Sequence, residues 1–406
     1  MDITFLGTAS AQPSPTRNHS SLALRIEGEV FLFDCGEATQ HQLIKLNSDS
    51  SLVVQDPLDS TQVGSTPRLA RINAIFLTHL HGDHCFGLPG LLCTAGSVVR
   101  LDAETVPNNP IHIYGPSGTK NYVRNALLHT MSRIGRGFVI HELLLPSDSP
   151  STTAPHIDEQ LGEDYQPETI NDGVFWTIPS PSQSPSKLST FSIKAAPIPH
   201  TVPTLGYLLA EPSLPGKLRA DLITPHLLRN KEALNLKNPL SLLAKFKSSN
   251  EPIHLPDGTI LHPSEYTDPP KRGRRVVILG DTFNALDSSF PALIDTLDPP
   301  SIVDLVIHES TNACLKSDIE SGLTPDQVLQ TTQEHGHSTP DLAARFAKRV
   351  GARKLVLNHF SSRYKGDSSV ESLGVMDEVR MLAVNEFGSE NVVCARDFMQ
   401  VRVVAE

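Results

Sequence analysis

The chain predicts an α/β fold built in stacked layers, and three observations predict it. Short β-branched or aromatic runs recur, each ending in a polar cluster: "EVFLFDCGEATQ", "INAIFLTHLHGDH", "RVVILGDTF", "DLVIHEST" and "KLVLNHFSS". Continuous apolar runs bounded by turn residues are the pattern of strands buried on both faces. Helical patterns lie between them, and strands alternating with helices form layered α/β domains. Length alone would allow two or three domains over 406 residues; the expected organisation is one large domain over 1–406 that carries insertions.

Composition removes several classes of function. A formal charge of -11 and a pI near 5.8 exclude a protein that coats nucleic acid with its whole surface, while leaving room for a local basic patch. Five scattered cysteines are the usage of reduced intracellular thiols rather than of a disulfide framework, so an intracellular address, cytoplasmic or nuclear, is expected. No apolar run approaches the roughly 18 residues needed to cross a bilayer, so no membrane partner is expected. The opening "MDITFLGTAS" goes straight into a strand pattern, without the order of a secretory signal, and is read as the start of the fold.

Along the chain, the first strands are followed by a polar stretch at 48–67, with Ser and Asp throughout and a Gly at 64. A second stretch at 147–186 holds many Ser and Pro, with Asp148, Asp158, Glu159, Glu163, Asp164, Glu168 and Asp172 and no Lys or Arg. Such segments lack the apolar content to order themselves, and both are expected to be disordered surface insertions. The segment 211–263 is instead locally basic, with Lys217, Arg219, Arg229, Lys231, Lys237, Lys245 and Lys247, and Pro212, Pro215 and Pro225 mark it as an excursion from the core. The clearest helix is "STPDLAARFAKRVGA": Ser338 or Thr339 can cap it, Pro340 suits its first position, and Ala343, Ala347 and Val350 recur on one face.

The chemistry concentrates in "THLHGDH". His79 and His81 lie two apart, which on a strand puts them on one face, and the following turn brings Asp83 and His84 round. Four ligand-type residues in this order point to a binuclear metal site. Imidazole and carboxylate suit zinc, and manganese or iron would also fit.

This stretch resembles the HxHxDH signature of the metallo-β-lactamase superfamily, whose members place two metals at one edge of an αββα sandwich. Three further ligands are implied from later strand ends: His200 in "PIPHTVPTLGY", Asp281 in "ILGDTF" and His359 in "LNHFSSRY". The resemblance implies that His79, His81 and His200 hold one zinc, that Asp83, His84 and His359 hold the other, and that Asp281 bridges them. Within the superfamily the chain resembles ribonuclease Z in its short form, through "FLGTASAQPSPTRNHSS", "FDCGEATQHQL", "HTVPTLGY", "LPDG", "GDT", "HEST", "HGHST" and "HFSSRY", in family order from residue 5 to about 364. The implied activity is removal of the 3′ trailer from precursor tRNA, and the implied assembly is a homodimer.

The family loop Pro-x-Lys/Arg-x-Arg-Asn matches at Pro13, Arg17 and Asn18, with Pro15 at the basic position; Arg17 and Asn18 are expected to meet the substrate. Phosphodiester cleavage also needs a proton for the leaving oxygen, and a His held by a carboxylate is a suitable donor. The resemblance implies Glu309 and His337 for that pair, with Asp83 orienting or deprotonating the attacking water as well as binding metal. His308 and His335 are read as structural or solvent-facing. Ser361, Ser362 and Arg363, just past His359, are candidate phosphate contacts. The basic segment matches the family's exosite arm, with "KNPLSLLAKFK" where bacterial arms often carry a Gly-Pro-rich hairpin; Lys231, Lys237, Lys245 and Lys247 are its expected phosphate contacts. Two other readings share the fold: a different hydrolase, such as a thioesterase or small phosphodiesterase, needs no basic arm, and a metal-free RNA-binding relative would have lost ligands. All seven ligands are present.

Overall fold

Each apolar run quoted above is a strand, and each ends at its polar cluster. The computed structural model describes residues 1–59, 64–99, 109–171, 173–182, 191–214, 216–236, 238–249, 251–300 and 302–404. Numbered along the chain, the strands begin with β1 (Asp2–Gly7), β2 (Ser21–Ile26), β3 (Glu29–Phe33), β4 (Val54–Gln55), β5 (Ile72–Phe76), β6 (Ile111–Pro116), β7 (Phe138–Leu143) and β8 (Glu159–Leu161). Then come β9 (Glu168–Ile170), β10 (Gly173–Ile178), β11 (Ser192–Ile198) and β12 (Thr204–Ala210), followed by the short β13 (Ile253–His254) and β14 (Ile260–Leu261). The series closes with β15 (Arg275–Leu279), β16 (Leu305–Glu309), β17 (Leu355–Asn358), β18 (Val392–Cys394) and β19 (Met399–Arg402).

Among the described residues two large sheets form, ordered β4-β19-β1-β2-β3-β5-β6-β7-β8 and β18-β17-β16-β15-β12-β11-β10-β9. Three apolar layers follow from them. Side chains of both sheets, among them Phe5, Phe33, Phe76, Tyr114, Trp176, Tyr207, Ile278 and Val356, make the central layer. Behind the second sheet, Ala343, Phe346 and Ala347 of the helix Pro340–Arg349 and Val379 and Ala383 of the helix Val370–Phe387 cover Val306 and Leu357. Behind the first, the helices Thr39–Ser48, Leu88–Val99 and Thr119–His129 cover Leu32 and Ile75 with Leu43, Leu91 and Val123. This is an αββα sandwich. Continuous apolar strands are what it requires, because both faces of each sheet are covered.

The two stretches expected as disordered insertions contribute structure instead. In 147–186 lie β8, β9 and β10, and Trp176 on β10 is 1% exposed in the central layer. Its acidic residues are ordered by cations from outside the stretch: Asp158 pairs with Arg133, Glu159 with Arg124 and Asp164 with Lys120. In 48–67, β4 pairs with β19 at the sheet edge and Asp56 pairs with Lys354; residues 60–63 lie outside the described residues.

The expected single domain is divided. One unit comprises Met1–Glu211 and Arg274–Val404, and the other Pro212–Gly273. The second has a small core of its own in Ile223, Leu227, Phe246, Leu255 and Leu261, with β13 and β14 paired and bridges Leu214–Lys271 and Leu218–Thr267 near its ends. The unit is wider than 211–263 because the chain after Pro263 pairs back onto its beginning.

Candidate metal-dependent active site

The polar clusters at the strand ends meet. Asp34 follows β3, residues 78–84 follow β5, His200 follows β11, Asp281 follows β15, Glu309 ends β16 and His359 follows β17. The expectation that His79 and His81 sit on a strand fails in detail: β5 stops at Phe76, and both lie in the loop before the short helix Gly82–Cys85. Asp34 shapes that loop, its carboxylate accepting from Thr78 N at 2.7 Å and from Thr78 Oγ1 at 2.8 Å. Asp34 and His359 both hold left-handed backbone, φ 59° and 57°, a conformation that non-glycine residues keep only where the surroundings impose it.

Hydrogen bonds choose one tautomer for four of the histidines. Nδ1 of His84 donates to Asp34 Oδ2 at 2.7 Å, and that of His200 to the Gly336 carbonyl at 2.8 Å. Thr78 Oγ1, which donates to Asp34, accepts from His79 Nδ1 at 3.0 Å. Thr311 Oγ1, which donates to Glu309 Oε2, accepts from His359 Nδ1 at 3.2 Å. With every Nδ1 proton committed outward, the four Nε2 atoms face inward. Metal-binding histidines are oriented in this way by carboxylates and carbonyls behind them.

Among the described residues three overlapping donor groups result, Glu309, His337 and His359 forming one; the two that share Asp281 are His79, His81, His200 and Asp281, and Asp83, His84, His359 and Asp281. In the first, His81 Nδ1 lies 3.1 Å from His79 Nε2 and 3.4 Å from His200 Nε2, and Asp281 Oδ2 lies 3.7 and 4.0 Å from the latter two. In the second, His84 and His359 Nε2 are 3.0 Å apart, Asp83 Oδ2 is 3.5 and 3.3 Å from them, and Asp281 is 3.4 Å from each. Tetrahedral zinc with bonds of about 2.0–2.1 Å holds neighbouring ligand atoms about 3.3–3.4 Å apart. The cluster therefore fits zinc ligation, and Asp281 is the member common to both groups.

The electrostatics are those of a cation site. Burial lowers the pKa of His79, His81 and His200, keeping the neutral ligating form. Burial would raise Asp83 and Asp281, yet His359 and His84 hold both well below the usual carboxylate range. Burial would likewise lower His84, but Asp281 and Asp34 hold it well above 6.5. The second group thus carries a proton that a metal ion would displace.

His337 and Glu309 stand beside the cluster, Nδ1 to Oε1 at 3.1 Å. Glu309 is buried and also accepts from Thr282 N at 2.7 Å. The His337 side chain is 17% exposed, against 2% for Glu309, so it alone of the pair reaches solvent. Burial lowers its pKa, but the Glu309 carboxylate more than offsets this and pushes it up to about 9. Ala11 N donates to Asp83 Oδ2 at 2.8 Å, so the N-terminal loop also holds a site carboxylate.

Other expected contacts fare differently. Arg17 is 1% exposed and is corrected from substrate contact to internal strut: its guanidinium donates to the carbonyls of Tyr364 and Ala395 and to Thr8 Oγ1. The motif fixes the residue type, and the facing carbonyls, remote in sequence, fix its direction. Asn18 binds the Glu37 carbonyl through Nδ2. Ser362 and Arg363 are exposed, but Arg363 is paired with Asp318 at 2.7 Å; Ser361 is half-buried. His308 is buried against the Glu309 carbonyl, and His335 is exposed and bonded to the Thr331 carbonyl. Lys231 is exposed at the start of the helix Lys231–Leu234. Lys237 lies outside the described residues, as do the side chains of Lys245 and Lys247 on the helix Ser241–Ser249. Sequence reading passed over Asp34, Thr78, Thr311 and Gly336. Asp34 was within reach, since "EVFLFD" ends a strand in an acid just as "RVVILGD" and "LVIHE" do.

The comparisons with known proteins follow the same lines. The chain is 34% identical over 411 residues to zinc phosphodiesterase ELAC protein 1 of Bos taurus, covering 99% of this chain and 98% of that one. It belongs to the ribonuclease Z family. A ribonuclease Z of Geobacillus kaustophilus is 31% identical over 91% of this chain and 92% of its own. The crystal structure of human tRNase Z, short form, superposes with a TM-score of 0.55 at 27% identity, covering all of both chains. The family model described as Anti-Pycsar protein Apyc1 matches residues 1–97, a stretch that includes "THLHGDH". Ribonuclease Z membership makes this a metal-dependent hydrolase with the metallo-β-lactamase fold.

Proposed function

We propose that the chain is an endoribonuclease that removes the 3′ trailer from precursor tRNA, and that each subunit works with two zinc ions. His79, His81 and His200 would hold one and Asp83, His84 and His359 the other, with Asp281 available to both. When bound, zinc supplies a water of lowered pKa and neutralises charge on the phosphate. Asp83, fixed by Ala11 N, takes the proton of the attacking water. His337, its Nδ1 engaged by Glu309, gives its Nε2 proton to the departing 3′-oxygen. The tRNA keeps a 3′-hydroxyl and the trailer a 5′-phosphate. The observation that carries this reading is the Glu309–His337 pair, Nδ1 to Oε1 at 3.1 Å, set against a complete ligand cluster. The unit Pro212–Gly273 is the tRNA-gripping arm, with Lys231, Lys237, Lys245 and Lys247 on phosphates, and Ser361, Ser362 and Arg363 bind phosphate near the cut. The working assembly is a homodimer. Cys35, Cys85, Cys314 and Cys394 stand outside any disulfide, in keeping with an intracellular, cytosolic or nuclear, protein.

The test is incubation of zinc-loaded protein with a precursor tRNA and with an unstructured RNA of equal length, followed by mapping of both ends. A single cut confined to the tRNA, with a new 3′-hydroxyl and 5′-phosphate, is expected. Equal cleavage of the two, or cleavage of neither, overturns the reading.

A further inference from the structure

The helix Pro325–Glu334 is followed by the turn His335, Gly336, His337 and Ser338, and three consecutive residues of this turn hold three different strand ends. The Gly336 carbonyl accepts the His200 Nδ1 proton at 2.8 Å. His337 binds Glu309. Ser338 Oγ donates to the Thr282 carbonyl, next to Asp281, and its own carbonyl accepts from Thr311 N at 3.1 Å. The proton donor is thus joined by one peptide bond to the group that selects the tautomer of a metal ligand.

Glycine is required at 336 for two reasons. Its φ is 88°, which side chains disfavour. A Cβ there would also stand 2.7 Å from His200 Nδ1, 2.9 Å from His200 Cε1 and 2.8 Å from Thr201 Cγ2. Gly322 separates these causes, since its φ is 90° with nothing within 4 Å of a Cβ.

We propose that Gly336 is a positioning residue: its missing side chain lets the turn close on His200, so that one backbone segment aligns the metal cage and the acid His337 together. The proposal rests on the zinc-dependent reading above. Its test compares Gly336→Ala with Gly322→Ala by calorimetric titration of zinc into chelator-stripped protein, alongside hydrolysis of a small phosphodiester. Gly322→Ala should bind zinc as the wild type does. Gly336→Ala should bind it about 10- to 100-fold more weakly, the usual effect of disturbing the partner behind a metal-binding histidine, and should lose hydrolysis even at saturating zinc. Equal zinc affinity in the two variants overturns the proposal, whereas a wild type that binds no zinc overturns the functional reading instead. Nitrogen-15 NMR of the histidines in the wild type is a second measurement that needs no variant to fold. It should show a protonated Nδ1 and unprotonated Nε2 for His200, and the reverse tautomer overturns the proposal.

Discussion

At the scale of single residues, the site works through groups one bond removed from the chemistry. Glu309 holds His337 protonated up to a pKa of about 9, and a cation bound alongside lowers that value. A general acid acts in its protonated form, so the rate of the chemical step should fall as pH rises through a limb at or below about 9. Replacing Glu309 with Gln removes the carboxylate that raises the pKa, so the limb should move to lower pH. The rate at its optimum should drop about 100-fold, with zinc content unchanged; a pH profile that does not move excludes His337 as the acid. Asp34 acts one step further back, holding His84 directly and His79 through Thr78. Asp34→Asn cannot accept at both sites as the carboxylate does, so zinc should bind about 10- to 100-fold more weakly. Zinc titration at constant pH checks this. Undiminished affinity would mean that the histidines are held by packing alone.

At the scale of elements, legibility in the sequence followed where the ordering force came from. Strands such as "RVVIL" and the helix Pro340–Arg349 carry that force in their own residues, as apolar runs and as the buried Leu342, Ala343, Phe346 and Ala347, and they read directly. The residues that meet in the His/Asp donor cluster read equally well, because a strand end rich in His and Asp is costly unless it binds something. The 147–186 stretch did not, because the residues that neutralise it, Lys120, Arg124 and Arg133, lie upstream on and just after another helix. Trp176 tests that account. An exposed insertion tolerates substitution within about 0.5 kcal/mol, whereas truncating a buried Trp costs about 3–5 kcal/mol. Trp176→Ala should therefore show the larger loss in urea unfolding, and a change under about 1 kcal/mol would return the segment to the surface. The second unit offers a cleaner excision. Glu211 N and Arg274 O are hydrogen-bonded at 2.9 Å and the flanking β12 and β15 are paired, so a short glycine link can replace 212–273. If the unit grips tRNA phosphates, its loss should raise KM for precursor tRNA and flatten the salt dependence of binding, by somewhat under one log–log unit per contact. Hydrolysis of a small phosphodiester should persist. Unchanged tRNA binding across a salt series would reduce the unit to a solvated appendage.

At the scale of the whole molecule, the sandwich sets up a conflict that a metal ion resolves. Two sheets, each covered on both faces, bring the carboxyl ends of β3, β5, β11, β15, β16 and β17 to one edge, and that edge receives six histidines together with Asp34, Asp83, Asp281 and Glu309. Buried charge is tolerated only when paired, and here the pairing is supplied partly by protons: His84 is held well above its usual pKa while Asp83 and Asp281 stay ionised. Zinc and protons therefore compete for the same lone pairs, and metal binding must release protons. Lowering the pH strengthens the proton's side, because it raises the proton concentration against a site whose ligands bind metal only when deprotonated. The melting temperature gained on adding zinc to chelator-stripped protein, which reports RT ln(1 + [L]/Kd), should accordingly be largest near pH 8 and shrink steadily toward pH 6. Calorimetry at a fixed zinc concentration across that range, in two buffers of different ionisation enthalpy, measures both the gain and the protons released. A gain independent of pH, with no proton release, would mean that the zinc binds somewhere other than this edge.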